Sequence, residues 1–507
     1  MRLFFRSFVV APHFCTFFNF LILLLSILGC KSDSIDEDSS SIIGNIIDFE
    51  GDLEISDFVW KSLNQYYYWQ NEVPKLSDSI YGDIHDYSEF ILKNKNPKLF
   101  FDSLIHRDDN FSLIEENYSD LENLIQGIVA SNGVEFGLLF ACDNCRQLIG
   151  YVKYIVPGSD ASGKNIKRGD LFSGVNGIQL TIDNYNELLF NDKLDYTLNM
   201  VSINNGVFVN NGEEIFLSKE ENLEINPILI NQVLNINNIK VGYLVYNQFV
   251  ADKSIQLNQI FGDFKNEEID DLIIDLRYNG GGSVINCIEL ASMITGQFSK
   301  QVFVQELWNS KMTEALTIDN GEEYFLDRFV STLSNGEAIN SLSLNRIYIL
   351  TSSESASASE LLINGLKPFI EVIHIGERTV GKNVASITLY DYVNTFDADI
   401  GVQQIKNPDH KYALQPIVLK IANKDGFSDY SEGLEPNYNL KESILDFGIL
   451  GDIEEPLLSF AISIITENKA KFTLKNFSTQ LKKVQDPLMI KRRGMFLDKN
   501  IDPFFIN

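Results

Sequence analysis

The stretch "NRIYILTSSESASASELLINGLKPF", residues 345–369, carries three patterns in a row. "NRIYIL" is apolar enough to be covered on both faces, as in a buried strand of an α/β sheet. Five serines then fall within residues 351–359. After them "SASELLINGLKPF" has helical spacing. A strand, a polar turn and a helix make half of a βαβ crossover. The turn itself reads in two ways. Ser357 can cap the helix, with Glu360 three residues on completing a capping box. Alternatively one of the serines does chemistry, since the loops beyond the carboxyl ends of such strands are where α/β sheets bind ligands.

Similar patterns lie on either side. "IKVGYLVY", "DDLIIDLRY" and "EVIHIG" read as further buried strands, and "SVINCIELASMI" reads as a helix. Together they predict an α/β layer over residues 227–470. Two more turns follow strands in it. "DLRYNGGGS" is either a tight turn or a glycine cradle whose amides can hold an oxyanion. "GERTVGKN", residues 376–383, carries Lys382. A loop lysine is ordinarily solvated, but in an apolar pocket desolvation favours the neutral amine, which can then act as a general base for serine.

The rest of the chain limits the alternatives. At 507 residues and 45% hydrophobic content the protein can bury a large core and form several domains. A formal charge of −29 argues against nucleic acid as a partner. There is no P-loop, no dinucleotide fingerprint and no clustered set of metal ligands. Of His13, His85, His106, His374 and His410, none sits in a catalytic motif, and His374 falls inside a buried strand pattern.

Arg2 and Arg6 precede an apolar run ending "FLILLLSILG" before Cys30, which reads as a secretory leader, a membrane anchor being the other reading. Residues 30–49, rich in Ser, Asp and Glu, read as a flexible tether. Residues 50–124 read as a small helical domain whose aromatic cluster is core, and residues 125–226 as a β-rich module. Within that module Cys142 and Cys145 flank a turn that a disulfide could cross in an exported protein. Cys287 reads as a buried apolar residue. No role is assigned to residues 471–507.

Taken together, "LIIDLRYNGGG", "SASASELL" and "GERTVGKN", in that order behind a β-rich module, resemble the C-terminal processing, or tail-specific, peptidases of serine family S41. The resemblance implies Ser357 as nucleophile and Lys382 as base, 25 residues apart as is usual in that family. It implies an oxyanion hole of the Ala358 amide and one from the glycine turn, Gly281, with Gly280 and Gly282 as alternatives. Many members carry a glutamine four residues after the lysine to orient it; here Ser386 stands at that position, and Glu360 is a second candidate orienting residue. "YALQPIVLKIANKDG" and "DYSEGLEPN" resemble S41 lipoproteins of the Bacteroidetes type.

Two further resemblances complete the expectation. "VPGSDASGKNIKRGDLFSGVNG" is similar to the PDZ modules of bacterial proteases, which implies that "EFGLLF" supplies a carboxylate-binding loop and edge strand, with Phe136, Gly137, Leu138 and Leu139 against the peptide. "ILGC" resembles a lipobox, which implies lipidation of Cys30 and loss of residues 1–29. The expected protein is a multidomain α/β lipoprotein of the cell envelope, held at the outer membrane. It would comprise a helical domain (50–124), a PDZ-like domain (125–226), a ClpP/crotonase-like S41 core (227–470) and a tail (471–507). Its expected partners are protein or peptide substrates taken by their C-termini, with no metal or cofactor. The rival is a non-proteolytic binder on the same fold, holding an apolar ligand as interphotoreceptor retinoid-binding proteins do, or serving as a peptide scaffold.

Overall fold

The computed structural model describes residues 49–397, 401–467, 482–484 and 494–498. The leader, Cys30 and most of the tether lie outside the described residues. Helix α1 (Asp52–Tyr66) buries Ile55, Phe58, Val59 and Leu63, a three-and-four spacing that fixes one face inward. Trp60 stacks on Tyr81 and meets Tyr87 edge-on. This aromatic group is core, as its spacing suggests, and it shares one continuous cluster with Phe249, Leu290 and Leu361 of the α/β layer. The amide of Tyr68 donates to the Ile417 carbonyl at 2.8 Å, so the backbone is also joined to that layer.

Strand β1 (Val134–Phe140) starts an antiparallel sheet that continues through strands at 148–155, 171–175, 195–204 and 207–218. The turn after it carries the Cys142–Cys145 disulfide, with Cα atoms 5.5 Å apart. Of "EFGLLF", expected to supply both a carboxylate-binding loop and an edge strand, residues 135–140 are all strand, and no part of it forms a loop; Glu135, Phe136 and Gly137 pair with Tyr154, Val152 and Tyr151 through a register shift between Glu135 and Phe136. Gly137 makes that pairing fit, because the Tyr151 ring occupies the space a Cβ would need.

The α/β layer is built on β2 (Ile239–Tyr246), β3 (Asp271–Asp275), β5 (Arg346–Thr351) and β6 (Glu371–Gly376), with β4 (Gly282–Ser283) and helix α2 (Val284–Thr295) following β3, and helix α3 (Ala358–Leu366) following β5. The four longer strands pair in parallel in the order β2, β3, β5, β6. Their unbroken apolar runs follow from burial on both faces: Leu244, Ile274 and Ile349 join the large cluster, and Tyr243, Ile273 and Leu350 join a second one. Because β3, β5 and β6 are adjacent and parallel, the glycine turn, the serine turn and the lysine loop all leave the sheet at one end.

A second sheet contains β4, β7 (Val384–Ser386) and strands at 417–423, 302–308 and 326–328. Two short pieces of the tail complete the architecture. Strand β8 (Lys483–Val484) pairs antiparallel with β1, and β9 (Met495–Phe496) lies between β4 and β7, parallel to both.

Beneath the glycine turn sits a buried charge cluster. Arg277, fully buried, reaches Asp275 at 2.7 Å, Glu455 at 2.7 Å and Glu442 at 2.9 Å. Arg168 from the β-rich module joins it through Glu442 and, at 2.6 Å, the Tyr278 hydroxyl. Buried cations and carboxylates are tolerated only as mutual partners. Arg277→Ala should therefore cost about 3–5 kcal/mol in a denaturant melt, by leaving carboxylates buried and unpaired; a loss under about 1 kcal/mol would mean that water replaces the guanidinium.

Candidate active site

The serine turn is tied down by its own hydroxyls. Ser352 donates to the Arg277 carbonyl, Ser355 to the Leu276 carbonyl at 2.8 Å, and Ser359 to the Asn279 carbonyl at 3.1 Å. Three of the five serines thus fasten this turn to the glycine turn after β3. Ser357 differs from them. It has φ 66° and ψ −117°, a strained conformation for a residue with a Cβ, and its buried Oγ has no hydrogen-bond partner among the described residues. The capping expectation is met only in half. Ser357 Oγ makes no cap bond, while its backbone N–H donates to Glu360 Oε2 at 2.7 Å.

Glu360 is fully buried and accepts four hydrogen bonds. Oε1 takes the Thr379 hydroxyl at 2.5 Å and the Gly381 amide at 2.6 Å, and Oε2 takes the Ser357 amide and, at 2.8 Å, the Lys382 amide. Burial pushes its pKa up, and the hydrogen bonds from Thr379, Ser357, Gly381 and Lys382 pull the other way. One carboxylate oxygen therefore fixes the backbones of both Ser357 and Lys382. This is how Glu360 takes part: it positions the lysine through the main chain.

Lys382 is buried, and desolvation brings it down to about 7, with Asp109 and Glu360 partly opposing the shift. Its Nζ lies 5.0 Å from the centre of the Phe111 ring. Asp109 Oδ1 accepts the amides of Phe111 and Ser112 at 2.8 and 2.9 Å, and the Tyr67 hydroxyl donates to Oδ2 at 2.8 Å. The pocket around the lysine is thus furnished partly by the helical region some 270 residues upstream. Neither Asp109 nor Phe111 stands in a motif, and no local signal in the sequence marks them.

The glycine turn meets Ser357 closely. Gly281 has φ +111°, and a Cβ there would lie 2.5 Å from Ser357 Cβ and 2.9 Å from its Oγ. Its amide, expected as an oxyanion donor, is directed instead to Asn279 Oδ1 at 2.8 Å. The side chain of Asn279 is held in turn by the Tyr246 carbonyl at 2.8 Å. The Ala358 amide begins helix α3, where no intrahelical carbonyl can accept it. Ser386 donates its hydroxyl to the Met495 carbonyl at 3.2 Å and accepts the Leu497 amide at 3.0 Å. Phe136, Gly137, Leu138 and Leu139 sit on β1, apart from this cluster, where Leu138 and Leu139 pair with Val484 and Lys483.

His374 is buried in β6 against the Thr351 hydroxyl at 2.7 Å, and burial lowers it to about 4, which leaves it neutral. Among the described residues no group of three or more His, Cys, Asp or Glu side chains could hold a metal ion.

Residues 240–418, which hold Ser357, Lys382 and both turns, match the family model "Peptidase family S41". Over that stretch the chain is similar to peptidase family S41. Residues 54–113 match the "Peptidase S41 N-terminal domain", so Asp109 and Phe111 lie within that match. A candidate S41 protease from Bacteroides fragilis NCTC 9343 has a solved structure with a TM-score of 0.62 at 24% identity, covering 81% of this chain and 97% of that one. That likeness establishes a shared fold. The carboxyl-terminal-processing protease of Picosynechococcus sp. (strain ATCC 27264 / PCC 7002 / PR-6) is 24% identical over 250 residues, 49% of this chain and 51% of that protein. A "Probable CtpA-like serine protease" of Staphylococcus aureus (strain bovine RF122 / ET3-1) is 28% identical over 149 residues, 29% of this chain and 26% of that protein. The chain thus spans about half, or less, of the length of the curated relatives it matches.

Glu360→Gln replaces an acceptor of four donors with a group that brings two N–H bonds of its own. At least one buried amide or hydroxyl then faces another donor, at a cost of about 1–3 kcal/mol. The expected outcome is a lowered denaturation midpoint together with loss of Ser357 reactivity toward a fluorophosphonate. Retained reactivity in a destabilised variant would show that Glu360 holds the fold and not the geometry of the pair.

Proposed function

We propose that this protein is a serine endopeptidase of the C-terminal processing type, with Ser357 as nucleophile and Lys382 as general base. The observation that carries this reading is a buried lysine brought down to about 7 whose amide shares one carboxylate oxygen with the amide of a strained, unpartnered serine. A structural serine has no need of that conformation, and a ligand-holding scaffold has no need of a neutral buried lysine.

In the proposed reaction the neutral Lys382 amine takes the Ser357 proton as Oγ attacks the carbonyl carbon of the peptide bond. The Ala358 amide, with a second N–H from Gly280 or Gly282, stabilises the oxyanion. The ammonium of Lys382 then protonates the leaving nitrogen, and a water deprotonated by the regenerated amine releases the acyl group. Substrates are proteins or peptides recruited by their C-termini, with the β1 edge of a PDZ-like module taking an added strand. Lipidation of Cys30 at an envelope membrane, the outer membrane in a Bacteroidetes-type cell, would keep the body outside the cytoplasm on its acidic tether.

Fluorophosphonate labelling of the mature protein tests this directly. Adduct is expected on Ser357 in the wild type and in neither Ser357→Ala nor Lys382→Ala; labelling of Lys382→Ala at the wild-type rate would overturn the mechanism. The pH profile carries a sign. Only the unprotonated lysine is active, so the labelling rate should rise about tenfold per pH unit below about 7 and level off above it. A rate independent of pH from about 5 to 9 would remove Lys382 as the base.

A further inference from the structure

Two places that would take a peptide strand are filled by the chain itself. At the edge of β1, Lys483 pairs with Leu139 and Val484 with Leu138, and the Phe140 amide donates to the Lys482 carbonyl at 3.0 Å. The Lys483 ammonium reaches Ser353 Oγ at 3.2 Å in the serine turn and Glu377 Oε2 at 3.5 Å in the lysine loop. Beside Ser357 the same tail returns. Gly282 and Ser283 of β4 pair with Met495 and Phe496, and Ser386 of β7 pairs with Phe496 from the other side.

The second segment is held along its whole described length. Met495, Phe496 and Leu497 are buried, and Asp498 accepts the Ser283 hydroxyl at 2.5 Å. Its first residue reaches the reactive position. The point a Gly281 Cβ would occupy is 2.7 Å from the Gly494 carbonyl oxygen and 2.9 Å from Ser357 Oγ, so the tail backbone passes directly beside the serine. Extended backbone, apolar side chains in pockets and a main chain laid past the nucleophile are features of a bound peptide. Charge agrees with the seating. The tail from residue 482 to 493 holds five of the chain's 41 Lys and Arg, against a body with a large acidic excess.

We infer that the C-terminal segment is a resident peptide of this protein's own binding path, seated in cis on the β1 edge and in the cleft beside Ser357, where it excludes peptides from outside until it is displaced. The inference rests on the cleft being a peptide site, as the proposed function requires. It adds that access to the site is regulated by the chain's own residues 482–484 and 494–498. Tethering explains why weak contacts suffice, since a segment on the same chain competes at an effective concentration on the order of millimolar.

The test is made on the full chain carrying Ser357→Ala, so that nothing is cut. A fluorescent synthetic peptide of residues 482–498, "KKVQDPLMIKRRGMFLD", is titrated by anisotropy against three proteins: the parent, a Met495→Asp/Phe496→Asp variant and a Val484→Pro variant. The double variant places charge in buried apolar pockets, and the proline removes an amide from β8. Binding at least tenfold tighter in either variant than in the parent is the expected result. Equal binding in all three, or none in any, would overturn the inference. Val484→Pro lies on a sheet edge, so the comparison survives if the double variant fails to fold. Fluorophosphonate labelling of the Ser357 protein separates the two readings. Adduct without any gain in peptide binding removes the resident tail alone, whereas peptide gain without adduct removes the catalytic reading and leaves the tail in place.

Discussion

The geometry of this site depends on one buried carboxylate. Glu360 accepts from Ser357 and Lys382 with one oxygen and from Thr379 and Gly381 with the other, so two loops that leave different strands share one anchor. The arrangement balances opposing costs. Burying a carboxylate is unfavourable, and four donors offset that cost. Holding Ser357 at positive φ is also unfavourable, and its amide is the group Glu360 takes. A shorter side chain at this position could not reach both loops. A neutral one could not accept four bonds.

The lysine pocket shows how the rest of the protein serves this pair. Desolvation brings Lys382 into the range where its neutral form is abundant, while Asp109 and Glu360 keep it from falling further. Phe111 supplies the apolar wall, and Asp109 is held by Tyr67, Phe111 and Ser112. The aromatic N-terminal helices therefore support the lysine pocket as well as forming core. Their packing into the same cluster as α3 makes the support rigid, because a close-packed interior resists small displacements.

Much of this was legible in the sequence, and what was not has a physical reason. The parallel strands announce themselves because burial on both faces demands unbroken apolar runs, and strand 371–376 kept even His374 inside that pattern. The serine turn and Lys382 were visible because their spacing within one layer is local. Asp109 and Phe111 were not, since they come to the lysine through tertiary packing and belong to an unremarkable turn. The direction of the Gly281 amide is not legible, because it depends on Asn279, whose side chain closes a turn that no spacing rule describes. Glu360 reads from the sequence as a cap and as a candidate orienting residue; its bonds to the lysine loop depend on two strands being neighbours. Strands of two residues, such as 483–484 and 495–496, are too short to show a period at all.

The tail strands bear on how the second sheet is made. β4 and β7 do not pair with each other; β9 stands between them and bonds to both. Neighbouring strands lie about 4.8 Å apart, so the gap between β4 and β7 is one strand wide, about 10 Å. Such a gap has unpaired N–H and C=O groups on both walls, and leaving these dry and unpaired would be costly. Whatever lies there must be extended backbone, and its side chains must be apolar enough for the space that Met495, Phe496 and Leu497 fill. β4 begins one residue after Gly281, and β7 begins two residues after Lys382. The strand that completes the sheet therefore passes beside Ser357, and the requirement that the walls be paired calls for extended backbone at that place.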